Sequence, residues 1–211
     1  MKIVVFGANS PTAQLLINQL SLIPKCEVFG LIRSEYVELY KHPEVKYIQY
    51  SLSKLEKVRE YLLNADVWIS FIGASNLLKA RKTKSLYYDS ASAILSESGI
   101  STPQRIIWIS SSGVIANPND GFFFKRILKP FFLSSMYHDM RNMEELILES
   151  KVTYTIIRPP YLTKSKKIEK IRVQEDFFLD DNTLSRRSLA LFILNEILNA
   201  KWINKIVAIT T

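Results

Sequence analysis

Apolar and polar positions alternate along this chain with two periods, that of a strand and that of a helix. Residues 2–7 are a short β-branched and aromatic run, and residues 11–22 then place Ala13, Leu16, Ile17 and Leu20 at helical spacing. This pattern predicts strand, tight turn, helix. Residues 27–32 and 46–50 predict a second and a third strand, with a short helical or irregular piece at residues 36–40 between them. Ser53 and Glu56 stand at capping-box spacing ahead of an apolar face of Leu55, Val58 and Leu62, which predicts another helix. Residues 66–72 predict a fourth strand, nearly continuous in apolar character, as when helices cover both faces of a parallel sheet. A helix at 85–98 and a strand at 105–109 follow. Met136, Met140, Met143 and Ile147 then recur at i, i+4, i+7 and i+11, which predicts a long striped helix over 135–149. A strand at 153–158 is stopped by Pro159 and Pro160, and a weaker region leads to a helix at 186–198 and a last strand at 205–209.

Strands alternating with helices predict an α/β fold, a doubly wound and mostly parallel open sheet with right-handed crossovers and helices on both faces. No repeat or linker interrupts it, so residues 1–211 are expected to form one domain. Composition agrees: 47% hydrophobic and 23% charged, with Gly 6 and Pro 8, excludes collagen-like, disordered and low-complexity chains. The single cysteine, Cys26, excludes a disulfide framework within one chain and a cysteine metal cluster, and fits a reducing compartment, the cytoplasm. Apolar stretches fall far short of the roughly 18 residues of a membrane span, and the N-terminus reads as a strand rather than a signal peptide.

With 28 basic and 20 acidic residues the net charge is +8, which favours an anionic partner. The basic residues are dispersed, with local clusters at Lys79, Arg81, Lys82, Lys84 and at Lys164, Lys166, Lys167, Lys170, Arg172. Each cluster is a solvated loop face or a phosphate attractor, and without any nucleic-acid module signature, nucleic acid is not the expected partner. His42 and His138 are too isolated for a metal site, and no G-x-S-x-G elbow is present.

In an open parallel sheet ligands bind beyond the carboxyl ends of the strands, which makes the loop after the first strand the place to look. It reads Gly7-Ala8-Asn9-Ser10-Pro11-Thr12-Ala13, where a G-x-x-G-x-x-G dinucleotide loop would have glycine at 7, 10 and 13. Ser10 and Ala13 are small, Ser10 can cap the helix, Pro11 suits its first position, and free amides with the Thr12 hydroxyl can bind an anion. The alternative is a plain strand-to-helix turn. The second strand ends in Arg33 and Ser34 instead of the carboxylate of an NAD site. A guanidinium there can pair with the 2′-phosphate of NADP(H), or it is simply an exposed arginine.

The loop, Arg33, Ile109-Ser110-Ser111-Ser112-Gly113-Val114, Tyr137-His138-Asp139-Met140-Arg141-Asn142-Met143-Glu144 and Tyr154-Thr155-Ile156-Ile157-Arg158-Pro159 occur in an order that resembles one group. These are the atypical short-chain dehydrogenase/reductases, NAD(P)-binding NmrA-like proteins related to biliverdin reductase B (flavin reductase). The similarity runs over nearly the whole chain, including Ser185-Arg186 before the last helix. It implies a Rossmann fold, NADP(H) as cofactor, and reduction of a small carbonyl, quinone or flavin-like substrate. It implies Asn9 among the loop contacts, Leu52 at the adenine, and Gly73 and Pro159 along the cofactor. Tyr137 would be the proton donor, with Ser111 orienting the substrate. The chain departs from the group in carrying Tyr50-Ser51-Leu52 in place of an acidic pair and Arg141 in place of a lysine.

On the residues alone, Tyr137 and Arg141 lie one helical turn apart on one face, and arginine keeps the charge but cannot relay a proton. Tyr137 otherwise reads as an amphipathic surface tyrosine, the three serines as turn formers, Gly73 as a turn glycine, and the prolines as strand stops. Phe122, Phe123, Phe124, Phe131 and Phe132 interleave with Lys125, Arg126 and Lys129 as a lid, a dimer patch, an interfacial segment or a partly buried connection. A second functional class stays open beside the reductase: a non-catalytic NADP(H)-binding redox sensor acting through a protein partner.

Overall fold

The computed structural model describes residues 1–33, 37–73, 85–115, 133–176 and 183–211. In strand β1 (Lys2–Phe6) the apolar run serves two layers at once, because successive side chains leave opposite faces. Ile3 and Val5 enter one core; Val4 and Phe6 enter the other. The same holds for β2 (Glu27–Ile32), β4 (Val67–Ser70), β5 (Arg105–Ile109) and β6 (Tyr154–Arg158).

With β3 (Val45–Gln49), β8 (Arg172–Glu175) and β10 (Lys205–Thr210), these strands form a sheet in the order β3-β2-β1-β4-β5-β6-β10-β8. All neighbours are parallel except β10 and β8. Helices α1 (Pro11–Leu20) and α5 (Arg186–Asn199) cover one face. The other carries α2 (Arg59–Leu62), α3 (Leu86–Ser101) and α4 (Ser134–Glu149). The chain moves outward from β1 to β3 and then returns to the far side of β1 at β4, so the order reverses between β1 and β4. That is the doubly wound Rossmann arrangement, and its crevice opens at the carboxyl ends of those two strands.

Each strand expected in the sequence is present, with β4 shorter at Val67–Ser70. The helix expected from Ser53 is not continuous. Leu52–Val58 is a 3₁₀ turn broken at Lys54 (φ −146°, ψ 47°), followed by the single turn α2. The Ser53 hydroxyl pairs with the Ser51 hydroxyl at 3.0 Å, and Ser51, at the cap position, makes no side-chain cap bond. β8 and the small parallel pair β7 (Leu162–Thr163) with β9 (Leu184–Ser185) were not expected. β8 is largely exposed and shows no apolar alternation. The phenylalanine-rich segment and the Lys79–Lys84 cluster lie outside the described residues.

The layer of α3 and α4 is held by polar groups as well as by the expected Met140, Met143 and Ile147. Ser85 makes no side-chain cap bond to α3; the carboxylate of Asp139, from α4, accepts the Tyr87 and Tyr88 amides at 2.8 and 3.1 Å instead. Burial pushes this carboxyl up and the two amides pull it down. Farther along α3, Glu97 accepts from Arg59 Nε (2.7 Å), Arg59 Nη2 (2.9 Å) and Ser101 Oγ (2.7 Å). The Arg59 hydrogen bonds chiefly hold its carboxyl below the usual glutamate range. A depressed folded value means that this stabilisation is complete above the ordinary glutamate pKa and is lost as pH falls through the folded one. Urea midpoints measured from about pH 6 down to about pH 3 should therefore fall less steeply in Glu97→Gln than in wild type.

Candidate functional site

Gly7 makes the turn out of β1. Its φ is +70°, and a Cβ built there would stand 3.0 Å from the Phe71 carbonyl carbon and oxygen and 3.1 Å from the Ile72 amide, against the end of β4. Glycine is required here by both conformation and space. The Ser10 amide donates to the Gly7 carbonyl at 3.0 Å, and Ser10 then caps α1, its Oγ accepting the Ala13 amide at 3.1 Å. Pro11 occupies the first helical position, as its sequence context predicts. Gln14 ties the loop from behind, donating to the Ala8 carbonyl at 2.6 Å and to the Tyr47 hydroxyl at 3.1 Å. Ala13 is fully buried against the sheet. The Ala13 amide is taken by Ser10 Oγ and the Gln14 amide by the Ser10 carbonyl (3.0 Å); Thr12 between them is buried, and Asn9 is exposed.

Arg33 is exposed just beyond β2, and Ser34 lies outside the described residues. Leu52 opens the 3₁₀ turn and is half-buried. Between them Tyr50, in the sequence merely a departure from the resembling group, is buried. Desolvation pushes its phenol well above the usual tyrosine range, while Arg33 and the Gly7 amide pull the other way. The Tyr50 hydroxyl has no hydrogen-bond partner among the described residues.

At the other half of the ledge Gly73 faces the Tyr87 hydroxyl, 3.2 Å from where a Cβ would lie. β5 and β6 are joined beyond their ends: Ser110 donates its amide to the Ile157 carbonyl at 2.8 Å, and Ser112 to the Pro159 carbonyl at 3.0 Å. Pro159 is thus a clamp on the serine turn. Ser111 caps the 3₁₀ turn Ser112–Val114, its Oγ accepting the Gly113 amide at 3.3 Å, which leaves its own proton to donate. Ser110 is buried, and its hydroxyl has no hydrogen-bond partner among the described residues. Tyr137 lays its ring over Gly113 so closely that any Cβ there would collide with Cζ, Oη and Cε1. One turn later Arg141 Nη2 donates to the Val114 carbonyl at 2.7 Å.

The structure therefore brings Ser111, Tyr137, Arg141 and Pro159 to one turn. Gly7 to Pro159 crosses three strand spacings, about 14 Å of continuous sheet edge. Tyr50 and Tyr87 were missed because their burial depends on contacts distant in sequence. One feature fits a dinucleotide: the tight turn at Gly7, against the end of β4, brings the start of α1, with its Ser10 cap and Pro11 in the first position, to the carboxyl end of β1.

Fold order, switch-point crevice and glycine-opened loop define a nucleotide-cofactor-binding protein with an oxidoreductase-like fold. The chain belongs to the NAD(P)H-binding family, whose profile matches residues 7–200. No curated protein sequence matches it. Solved structures with the same fold include the oxidoreductase ylbE from Lactococcus lactis (19% identity, TM-score 0.80, covering 100% of this chain and 91% of that one). A short-chain dehydrogenase/reductase from Veillonella parvula in complex with NADP shares 17% identity at TM-score 0.80, covering 100% and 94%. A Streptococcus pneumoniae protein proposed to be a NADH-flavin reductase shares 16% at TM-score 0.77, covering 100% and 99%.

Proposed function

We propose that this protein is an NADP(H)-dependent reductase of the atypical short-chain, NmrA-like type, acting on a small carbonyl, quinone or flavin-like substrate in the cytoplasm. The observation that carries this reading is the seating of Tyr137 over Gly113, two residues from Ser111, at the end of β5. Both residues then border one turn, Ser111 through its bond to the Gly113 amide and Tyr137 through its ring on Gly113. When bound, the cofactor supplies hydride. Ser111, its oxygen already accepting from Gly113, donates to and orients the substrate oxygen; Tyr137 delivers the proton. Arg141 holds the turn through Val114 and keeps a fixed positive charge one helical turn from Tyr137, favouring the phenolate without passing a proton. Gly7, Asn9, Ser10, Pro11, Thr12 and Ala13 shape the diphosphate cradle, with Leu52 and Gly73 lining the ledge, and Arg33 with Ser34 receives the 2′-phosphate.

Calorimetric titration of NADPH and NADH into wild type and Arg33→Ala tests the assignment. NADPH should bind more tightly than NADH, and Arg33→Ala should weaken NADPH by about 10- to 100-fold, the worth of a charge-assisted contact. Equal affinity for both cofactors overturns it. A second reading, a redox sensor working through a protein partner, is favoured by the tether of Arg141 to Val114. It predicts that any turnover of flavins, quinones or aldehydes is unchanged in Tyr137→Phe and Ser111→Ala.

A further inference from the structure

Residues 164–172 take no part in the candidate site. Lys164, Lys166, Lys167 and Lys170 are exposed, and the one acid among them, Glu169, is engaged elsewhere, its carboxylate accepting the Ser185 amide at 2.7 Å. The backbone of this run is pinned to the start of α5. Ser185 Oγ donates to the Lys167 carbonyl at 2.7 Å, and the Glu169 amide donates to Ser188 Oγ at 2.9 Å, so Arg186 and Arg187 in the first helical turn stand beside the lysines. No carboxylate pairs with any of these six cations among the described residues. Two apolar side chains share the neighbourhood: Ile168 is 61% exposed, and Tyr161, whose carbonyl accepts the Leu184 amide at 3.0 Å, is 78% exposed. The run leaves β6 through β7 and enters β8 at Arg172, opposite Thr210 at the end of β10. Both of its ends thus lie on the carboxyl edge of the sheet, the edge that carries the crevice.

Like charges held side by side without counter-charges favour an anionic surface. A nucleic acid backbone would satisfy the cations but not the exposed isoleucine. A bilayer interface satisfies both, with ammonium groups on the headgroups and the lysine stems, Ile168 and Tyr161 against the acyl boundary. We propose that residues 164–172 and the first turn of α5 dock this protein on an anionic phospholipid surface. Docking there turns the carboxyl edge of the sheet toward the bilayer. It needs no bound cofactor and stands apart from the dinucleotide reading.

The test is sedimentation of the full chain with vesicles of phosphatidylcholine, alone or with about 30% phosphatidylglycerol, at roughly 0.15 M salt. Wild type should bind the anionic vesicles and not the neutral ones. Lys164→Gln/Lys166→Gln/Lys167→Gln should weaken binding by about 100-fold, at roughly fivefold for each lysine. The same charge change at exposed positions elsewhere, Lys41→Gln/Lys54→Gln/Lys57→Gln, should weaken it by less than about 3-fold. Ile168→Ser should weaken it by about 5- to 10-fold, the worth of a partly inserted aliphatic side chain. Absence of binding to the anionic vesicles overturns the proposal, as does an equal loss in the two triple variants. Tighter binding to a short DNA duplex, with Ile168→Ser indistinguishable from wild type, assigns the surface to nucleic acid and overturns it as well.

Discussion

Arg158→Met is expected to destabilise the protein by about 3–5 kcal/mol, the usual consequence of stripping one partner from a buried ion pair. Arg158, at the end of β6, donates Nε and Nη2 to the two carboxylate oxygens of Glu144 on α4, at 3.0 and 2.6 Å. Both side chains are nearly inaccessible, at 6% and 3% exposure. A third bond, from Nη1 to the Asp176 carbonyl at 3.0 Å, reaches the end of β8. Methionine fills much of the volume and leaves Glu144 charged and unpaired in the interior. Removing both charges in Arg158→Met/Glu144→Leu should recover most of the loss, because two desolvated ions are exchanged for apolar packing. Urea denaturation of the two single variants and the double variant measures this. Equal stability of wild type and Arg158→Met would show that the pair does not anchor α4, the helix that carries Tyr137 and Arg141.

The second large effect is expected at Gly7. Gly7→Ala places a Cβ 3.0 Å from the Phe71 backbone at a φ of +70°. Left-handed strain and overlap with an unyielding strand end together cost about 2–4 kcal/mol, or roughly 5–15 °C in Tm for a chain of this size. Loss of dinucleotide binding should accompany it, since relieving the overlap moves the loop. Gly99 is the control. Within α3 a Cβ at Gly99 meets nothing within 4 Å, so Gly99→Ala should raise stability by up to about 1 kcal/mol. Thermal unfolding of both variants checks the contrast, and a Gly7→Ala protein that melts with wild type would contradict the packing described.

The core strands and the long helices could be read in one dimension because their signals are local. The stripe of Met140, Met143 and Ile147 is buried as its spacing requires, and Ser10 with Pro11 starts α1 by chemistry confined to four residues. The kink at Lys54 was not legible. A serine pair diverted the cap, and capping spacing does not reveal which hydroxyl a side chain will choose. Nor was the pairing of Arg158 with Glu144, or of Arg105 with Glu196 at 2.6 Å between α5 and the start of β5. Arginine and glutamate read as surface residues until a fold closes over them.

For the candidate site the division follows the same line. Gly7, Ser10, Ser111 and Tyr137 could be picked out as residue types at strand ends and on a helix face, where short-range geometry limits what each can do. That Tyr137 lies on Gly113, that Asp139 caps α3 from another helix, and that Tyr50 is buried with its ring edge-on to Phe6 was decided by tertiary packing. Period and turn chemistry belong to neighbours in the chain, so the sequence by itself determined an open α/β sheet with a loop suited to anions. Which polar groups are buried, and which meet, depends on contacts across tens of residues, and only the folded sheet supplies them.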